Sequence, residues 1–317
     1  MTPPYIDKQT IATHLPMSEC IAVMETMFRD LSAGNILQPL RTLMHLPDKS
    51  GLLGMMPAHA AGPGVMGIKI ITIFHANGAA GLPSHQGVII LFDGRTGTPL
   101  MLFDAEEITA IRTAAASALA TNLLAGKNAS SLAIIGSGEQ AQRHIESIPL
   151  IRPIKTIRLW GRNKEKTGQL AKTASAASGI PVFVAETPQH AITGAEIICT
   201  VTASSTPVVK GEWLSPGAHL NVVGSCTPGA REIDTEAILR GKLYTDRSES
   251  MFNEAGDFLI PKKEGRITES DLQGELGEVL TRTKPGRQHP GDITIFKSLG
   301  IAAEDLYSAY HIYKQLR

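Results

Sequence analysis

Apolar positions follow one rhythm in the first third of the chain and another after residue 130. Met17, Ile21, Met24, Phe28 and Leu31 are spaced three or four apart, which predicts an amphipathic helix over Met17–Ala33, stopped by Gly34. Its methionines read as core packing. Shorter apolar or alternating runs follow at Arg41–Leu46, Leu52–Met56 and Val65–Phe74, set off by Gly and Pro, and these predict strands. Val88–Phe92 and Pro99–Phe103 flank Asp93-Gly94-Arg95-Thr96-Gly97 and predict a hairpin. This first part is expected to be a small antiparallel or mixed sheet. Asp104 with Glu107 forms a capping pattern for an Ala-rich helix that runs through Ala125 and ends at Gly126.

From Ser131 the rhythm alternates between strand and helix. Strands are predicted at Leu132–Ile135, Thr156–Trp160, Val182–Ala185, Ile197–Val201, Leu220–Val223 and Lys242–Thr245. That alternation predicts an α/β, Rossmann, doubly wound parallel sheet beside the smaller α+β part. Phe296–Leu316 reads as a further helical stretch. The expected division is residues 1–120 with 298–317 as a substrate-binding and dimerisation domain, and residues 121–297 as the dinucleotide-binding domain.

Composition narrows the function classes. At 317 residues, two domains are the default. Thirty basic and thirty acidic side chains cancel, so no basic excess points to nucleic acid or a membrane surface. Met1–Thr10 has no apolar core of a secretory leader, and no uncharged apolar run reaches bilayer length. Cys20, Cys199 and Cys226 are far apart, odd in number and without metal-ligand spacing. They are expected to be free thiols in a reducing cytoplasm.

The most specific signal is Ala133-Ile134-Ile135-Gly136-Ser137-Gly138-Glu139-Gln140-Ala141, an apolar strand entering a G-x-G-x-x-A turn and then a helix. A dinucleotide pyrophosphate needs that geometry: Gly136 for the tight turn, Gly138 for close backbone approach, Ala141 for helix–strand packing, and the helix N-terminus for the anion. At the end of the second strand, NAD-binding chains place an Asp or Glu on the ribose hydroxyls. This chain has Trp160-Gly161-Arg162-Asn163-Lys164, with Lys166 beyond. Cations in that place suit a 2′-phosphate. NADP(H) is therefore expected over NAD(H).

Five further blocks carry a resemblance. They are Gly67-Ile68-Lys69; Leu91-Phe92-Asp93 with Thr96-Gly97-Thr98-Pro99-Leu100; and Asp104-Ala105 with Ile108-Thr109 and Arg112-Thr113-Ala114-Ala115-Ala116-Ser117. Then come Gly224-Ser225-Cys226-Thr227-Pro228 with Arg231-Glu232-Ile233-Asp234, and Thr294-Ile295-Phe296-Lys297-Ser298-Leu299-Gly300 with Glu304-Asp305. With these blocks the chain resembles the ornithine cyclodeaminase/mu-crystallin family from end to end. The resemblance implies a homodimer and nicotinamide-dependent chemistry at a carbon that bears nitrogen beside a carboxylate. Members include ornithine cyclodeaminases, alanine dehydrogenases and reductases of cyclic ketimines such as pyrroline-2-carboxylate.

The resemblance also implies roles. Arg112 would hold the substrate carboxylate beside the cofactor, and Arg41 would be a second carboxylate ligand. Arginine suits that task because its planar fork meets both oxygens. Lys69 lies inside an otherwise apolar strand, where a lysine is seldom buried without purpose. In the family it reaches the substrate. Near two arginines its ammonium is pressed toward neutrality, which suits proton exchange with an imine nitrogen. Leu299 would line the substrate. Ser84, Thr202 and Ser298 match cofactor contacts, joining Arg112, Gly136, Ser137, Gly138, Glu139, Gln140, Ala141, Arg162, Asn163 and Lys164. His85 beside Ser84 stays open between structural and catalytic roles.

Cyclodeaminases carry an aspartate where this chain has Cys226. A mostly protonated thiol cannot replace a carboxylate. The sequence therefore favours NADPH-dependent reduction of a cyclic ketimine acid, pyrroline-2-carboxylate to L-proline and also piperideine-2-carboxylate, over ornithine cyclodeamination. A weakly catalytic NADPH-binding crystallin-like protein is the third reading.

Overall fold

The structure is a computed structural model that describes residues 2–74, 76–77 and 81–317. Met1, the first residue of the polar opening stretch, lies outside them. The chain divides into two compact units, Met1–Arg112 with Ile301–Arg317, and Thr113–Gly300. One boundary lies just before the helix Ala302–Leu316, and the other within the helix Ala105–Leu124. Asp104 accepts from the Glu107 amide at 2.9 Å, so the predicted capping aspartate does start this helix. Its residues Ala110–Thr121 are buried on every side, as an Ala-rich helix without a polar face must be.

The first unit holds strands β1 (Tyr5–Ile6), β2 (Ile36–Leu37), β3 (Thr42–His45), β4 (Leu52–Ala60), β5 (Val65–Ile73), β6 (His85–Asp93) and β7 (Pro99–Asp104). They form a sheet in the order β1-β7-β6-β5-β4-β2, with β3 also on β4. The long neighbours are antiparallel and only the short β1–β7 pair is parallel. The period-2 pattern is sharp on β4 and the start of β5: Gly54, Met56, Ala58 and Ala60 point inward with Val65, Gly67 and Lys69. The helix Ala302–Leu316 packs over β4, β5 and β6 and against the helix Met17–Ser32. A side chain at Gly67 would meet Leu306 Cδ1 at 2.8 Å, so this glycine lets the helix approach.

The second unit is the expected doubly wound sheet. Its strands are β8 (Ser131–Ile135), β9 (Thr156–Trp160), β10 (Val182–Val184), β11 (Ile197–Thr200), β12 (His219–Val222), β13 (Gly241–Thr245), β14 (Leu272–Glu275) and β15 (Ile293–Lys297). All pairs are parallel, in the order β10-β9-β8-β11-β12-β15-β13-β14. Strand order reverses at β8, and ligands of such sheets bind at that switch. The central strands β11, β12 and β15 are buried at every residue, because helices cover both faces.

One expectation is corrected. Phe296–Leu316 is not a single helical stretch: Ile293–Lys297 is a fully buried strand, Gly300 breaks the chain at φ +68°, and the helix starts at Ala302. The apolar spacing of Phe296, Leu299 and Ala303 mimics a helix across that break. The helix Lys8–His14, capped by Asp7 on the Thr10 amide, and strands β1, β2 and β14 carry too few apolar residues to show in the pattern. Among the described residues no helix is long and apolar enough to cross a membrane.

Candidate active site

The first unit gathers the predicted cations around a carboxylate pair that the sequence reading did not assign. Lys69 lies on the buried face of β5 and is 3% exposed. In register beside it stand Met56 on β4 and Ile89 on β6, both apolar. Its ammonium Nζ sits 2.6 Å from Asp305 Oδ2 and donates to Thr109 Oγ1 at 3.4 Å. Arg112, also 3% exposed, donates from Nε to Asp305 Oδ1 at 3.0 Å and from Nη1 to Glu304 Oε2 at 2.6 Å. Glu304 and Asp305 occupy the first turn of the helix Ala302–Leu316, where the helix dipole favours negative charge. Arg41, half-buried just before β3, is close enough to act on Lys69 electrostatically.

The charges shift one another. Burial pushes the Lys69 ammonium down, the Asp305 carboxylate pushes it back up, and Arg112 and Arg41 add to the lowering; it settles at about 8. Burial therefore outweighs the arginines named in the sequence argument. For Asp305 burial would raise the pKa, but Arg112 and Lys69 outweigh it and hold the carboxyl below its usual range. Burial works against the Arg112 guanidinium too, and Asp305 and Glu304 more than offset it, so it stays charged. Lys69 and Arg112 meet the two carboxylates here, and Arg41 stands within electrostatic reach, so three cations gather where an anion would be favoured. Ser84 and His85, at the start of β6, touch each other at 3.0 Å between Oγ and Nδ1.

The second unit builds the Gly-rich turn as its motif predicts. Gly136 has φ +132°, and a Cβ there would meet Val201 O at 2.7 Å, so only glycine fits. Gly138 caps the helix Glu139–Ser147 with no side chain across its first amides, and the space where a Cβ would stand is open. Ala141 is fully buried against the sheet. A cavity of about 510 Å³ lies in front, lined by Ser137, Gly138, Glu139, Asn163 and Lys166 among others. An open cradle, unblocked helix amides and a lysine opposite them fit a dinucleotide pyrophosphate.

Of the other predicted contacts, Asn163 lines this cavity, whereas Arg162, Lys164 and Gln140 are not among its lining residues. Arg162 and Lys164 are exposed at the start of the helix Lys164–Ser178. Asn163 caps that helix, its side chain accepting from the Lys166 amide at 2.9 Å. Gln140 is half-buried on the turn. Thr202 is committed to Glu232, donating from its amide and its hydroxyl at 2.6 and 2.7 Å. Ser298 follows β15 and donates its amide to Val222 O at 3.0 Å, and the Leu299 amide donates to Asp246 Oδ2 at 2.6 Å.

The loop that carries Cys226 is held from beneath. Lys297 Nζ donates to Ser225 O at 2.5 Å and lies 3.3 Å from Asp257 Oδ2. Glu232, fully buried, accepts from Thr200, Thr202 and Gly224. Burial raises its pKa despite Lys297. The Glu232 and Asp257 carboxylates are thus tied into backbone support, and Cys226 remains half-buried on the loop. Sequence alone assigns no role to Glu304, Asp305, Lys297, Asp257 or Glu232. The acidic pair opening the last helix was the available signal.

Comparisons with known proteins place this arrangement. The model of the ornithine cyclodeaminase/mu-crystallin family matches residues 5–317. Ketimine reductase mu-crystallin of Mus musculus is 36% identical over 315 residues, covering 98% of this chain and 96% of that protein. Delta(1)-pyrroline-2-carboxylate reductase of Bacillus cereus is 35% identical over 300 residues, covering 94% and 92%. The structure of Thermococcus litoralis Delta(1)-pyrroline-2-carboxylate reductase in complex with NADH and L-proline superposes with a TM-score of 0.95 at 34% identity, covering 98% of this chain and 96% of the other. A family match that runs from the first strand to the last helix, over the cationic cluster and the Gly-rich turn alike, settles the kinship: the chain belongs to the ornithine cyclodeaminase/mu-crystallin family.

Proposed function

We propose that this protein is an oxidoreductase that reduces the C=N bond of a cyclic ketimine acid with NADPH. Delta1-pyrroline-2-carboxylate, giving L-proline, is its main substrate, and piperideine-2-carboxylate is a second. The observation that carries the reading is the buried pair Lys69 and Arg112, fixed by Asp305 and Glu304, with the half-buried Arg41 within electrostatic reach of Lys69. An anionic substrate with a basic nitrogen matches cations gathered in this way. Relatives named for ketimine and pyrroline-2-carboxylate reduction support the substrate class.

The residues divide the work. Arg112 and Arg41 bind the carboxylate and orient the ring. Lys69 keeps the imine nitrogen protonated, which makes the adjacent carbon electrophilic. NADPH, when bound, supplies the hydride that this carbon accepts; the C=N double bond becomes a single bond and the nitrogen keeps the proton. Gly136 and Gly138 give the pyrophosphate its cradle, with Ser137, Glu139, Gln140 and Ala141 completing the turn. The choice of NADPH rests on Arg162, Lys164 and Lys166, with no acid at the end of β9. Cys226 in place of a carboxylate supports reduction over cyclodeamination, since the acids near it are engaged in backbone support.

The test is a panel of cyclic imino acids, 2-oxo acids with amines, and ornithine, each assayed with both cofactors. The cyclic imino acids with NADPH should give the highest kcat/KM. Release of ammonia from ornithine with catalytic cofactor would overturn the reading in favour of cyclodeamination. Higher kcat/KM with NADH would overturn the cofactor choice. We also propose a homodimer, supported by the exposure of β3 along its whole length, with Leu43 and Met44 uncovered, and of Leu37 on β2.

A further inference from the structure

We propose that Asp305 is a positioning residue of this site: one carboxylate oxygen holds the Lys69 ammonium and the other holds Arg112 Nε, so a single side chain fixes both cations and keeps Lys69 charged. The inference rests on the proposed imine reduction for its kinetic consequence, and on geometry alone for its structural part.

The sequence builds the contact in three steps. Lys69 lies on the inward face of β5, flanked by Met56 and Ile89, so its own sheet offers it no polar partner. Gly67, two residues earlier on the same face, has no side chain, and Leu306 packs into that space. The helix Ala302–Leu316 is thereby seated with its first turn over Lys69, and Asp305 lands 2.6 Å from the ammonium. Its second oxygen meets Arg112 at 3.0 Å, while Glu304 takes Nη1 of the same guanidinium at 2.6 Å. Asp305 is 1% exposed, so water does not screen it.

The charged groups that reach Lys69 come from three other elements. Asp305 on the last helix raises its pKa, and Arg112 and Arg41 lower it, alongside the larger effect of burial. Asp305 is the acid among them. Removing its charge takes away the acid that raises Lys69 while burial and two arginines still lower it, so Lys69 loses its proton at lower pH. Glu304 bonds Arg112, so its loss should leave Lys69 almost unchanged.

The experiment reads Lys69 directly and then reads turnover. The protein is labelled with ¹³C at lysine Cε, the Lys69 resonance is assigned by its absence in Lys69→Met, and its shift is followed against pH. In the native protein the midpoint should fall at about 8. In Asp305→Asn it should move down by about one unit or more. Asp305→Glu should keep it near the native position, and Glu304→Gln should not move it. The alkaline limb of kcat/KM for pyrroline-2-carboxylate should shift by the same amount in Asp305→Asn. A structural role alone would lower kcat without moving the limb. If Asp305→Asn does not fold, the Glu304→Gln titration decides: a midpoint that stays at the native position supports the inference, and one that falls by about one unit or more overturns it, as does an unmoved midpoint in a folded Asp305→Asn. If the resonance moves as expected while no imine is reduced, the proposed reaction fails and the positioning role stands.

Discussion

Lys69 stands at the junction of the chain's packing and its chemistry. A lysine on an apolar sheet face is costly to bury unless its charge is paired, and Asp305 supplies the pair at 2.6 Å. The compromise is an ammonium at about 8, easily deprotonated yet charged at neutral pH. Three predictions belong to this scale. Lys69→Met should lower kcat for the imino acid by about 10²–10⁴-fold with the fold retained, as loss of a general acid does, measured by steady-state kinetics with circular dichroism as the control. The native pH profile follows from the sign of the shift. Lys69 is fully protonated well below pH 8 and neutral well above it, so reduction should be flat on the acid side of this group and fall as pH rises through about 8. Arg112→Lys keeps the charge but loses the fork that meets Asp305 and Glu304 together. KM for the imino acid should rise about tenfold to a hundredfold, measured under saturating NADPH.

Glycines and helix ends set the geometry at the scale of elements. Gly136 combines φ +132° with Val201 O at 2.7 Å from where a Cβ would stand. Gly136→Ala should cost about 1–3 kcal/mol in urea unfolding and abolish the rise in NADPH fluorescence on binding, while Gly138→Ala, with open space around it, should weaken binding without that loss of stability. Elements are also where the sequence is read most unevenly. The Gly-rich turn, the hairpin around Asp93-Gly97 and the Asp104 cap announce themselves because each needs particular residue types at fixed spacing. Strand β15 does not. Its run Ile293–Lys297 is continuous and apolar because it is buried on both faces, and such a run has no period to separate it from a helix. The helix Lys8–His14 buries only Ile11 and leaves almost no stripe to read.

For the molecule as a whole, the two-part architecture and the α/β class were legible because the spacing of apolar residues changes near residue 130. The candidate site was legible only in its cations. Lys69 stands out in an apolar strand and Arg112 in an alanine run, but their partners lie more than 190 residues further on, on a helix whose acidic first turn resembles ordinary dipole compensation. Only the three-dimensional seating of that helix over Gly67 reveals which acids meet which bases. The proposed homodimer belongs to this scale too: light scattering after size exclusion should give twice the chain's 33.8 kDa, and a mass of one chain would contradict it.

In the proposed reaction hydride reaches the carbon beside the carboxylate of a ring whose nitrogen Lys69 keeps protonated. Pyrroline-2-carboxylate incubated with NADPH carrying deuterium at both C4 positions of the nicotinamide tests it most directly, with the product analysed by mass spectrometry and chiral chromatography. The account predicts L-proline with one deuterium at Cα, formed with the native protein and lost in Lys69→Met. Unlabelled proline, or no proline while the cofactor binds, would contradict it.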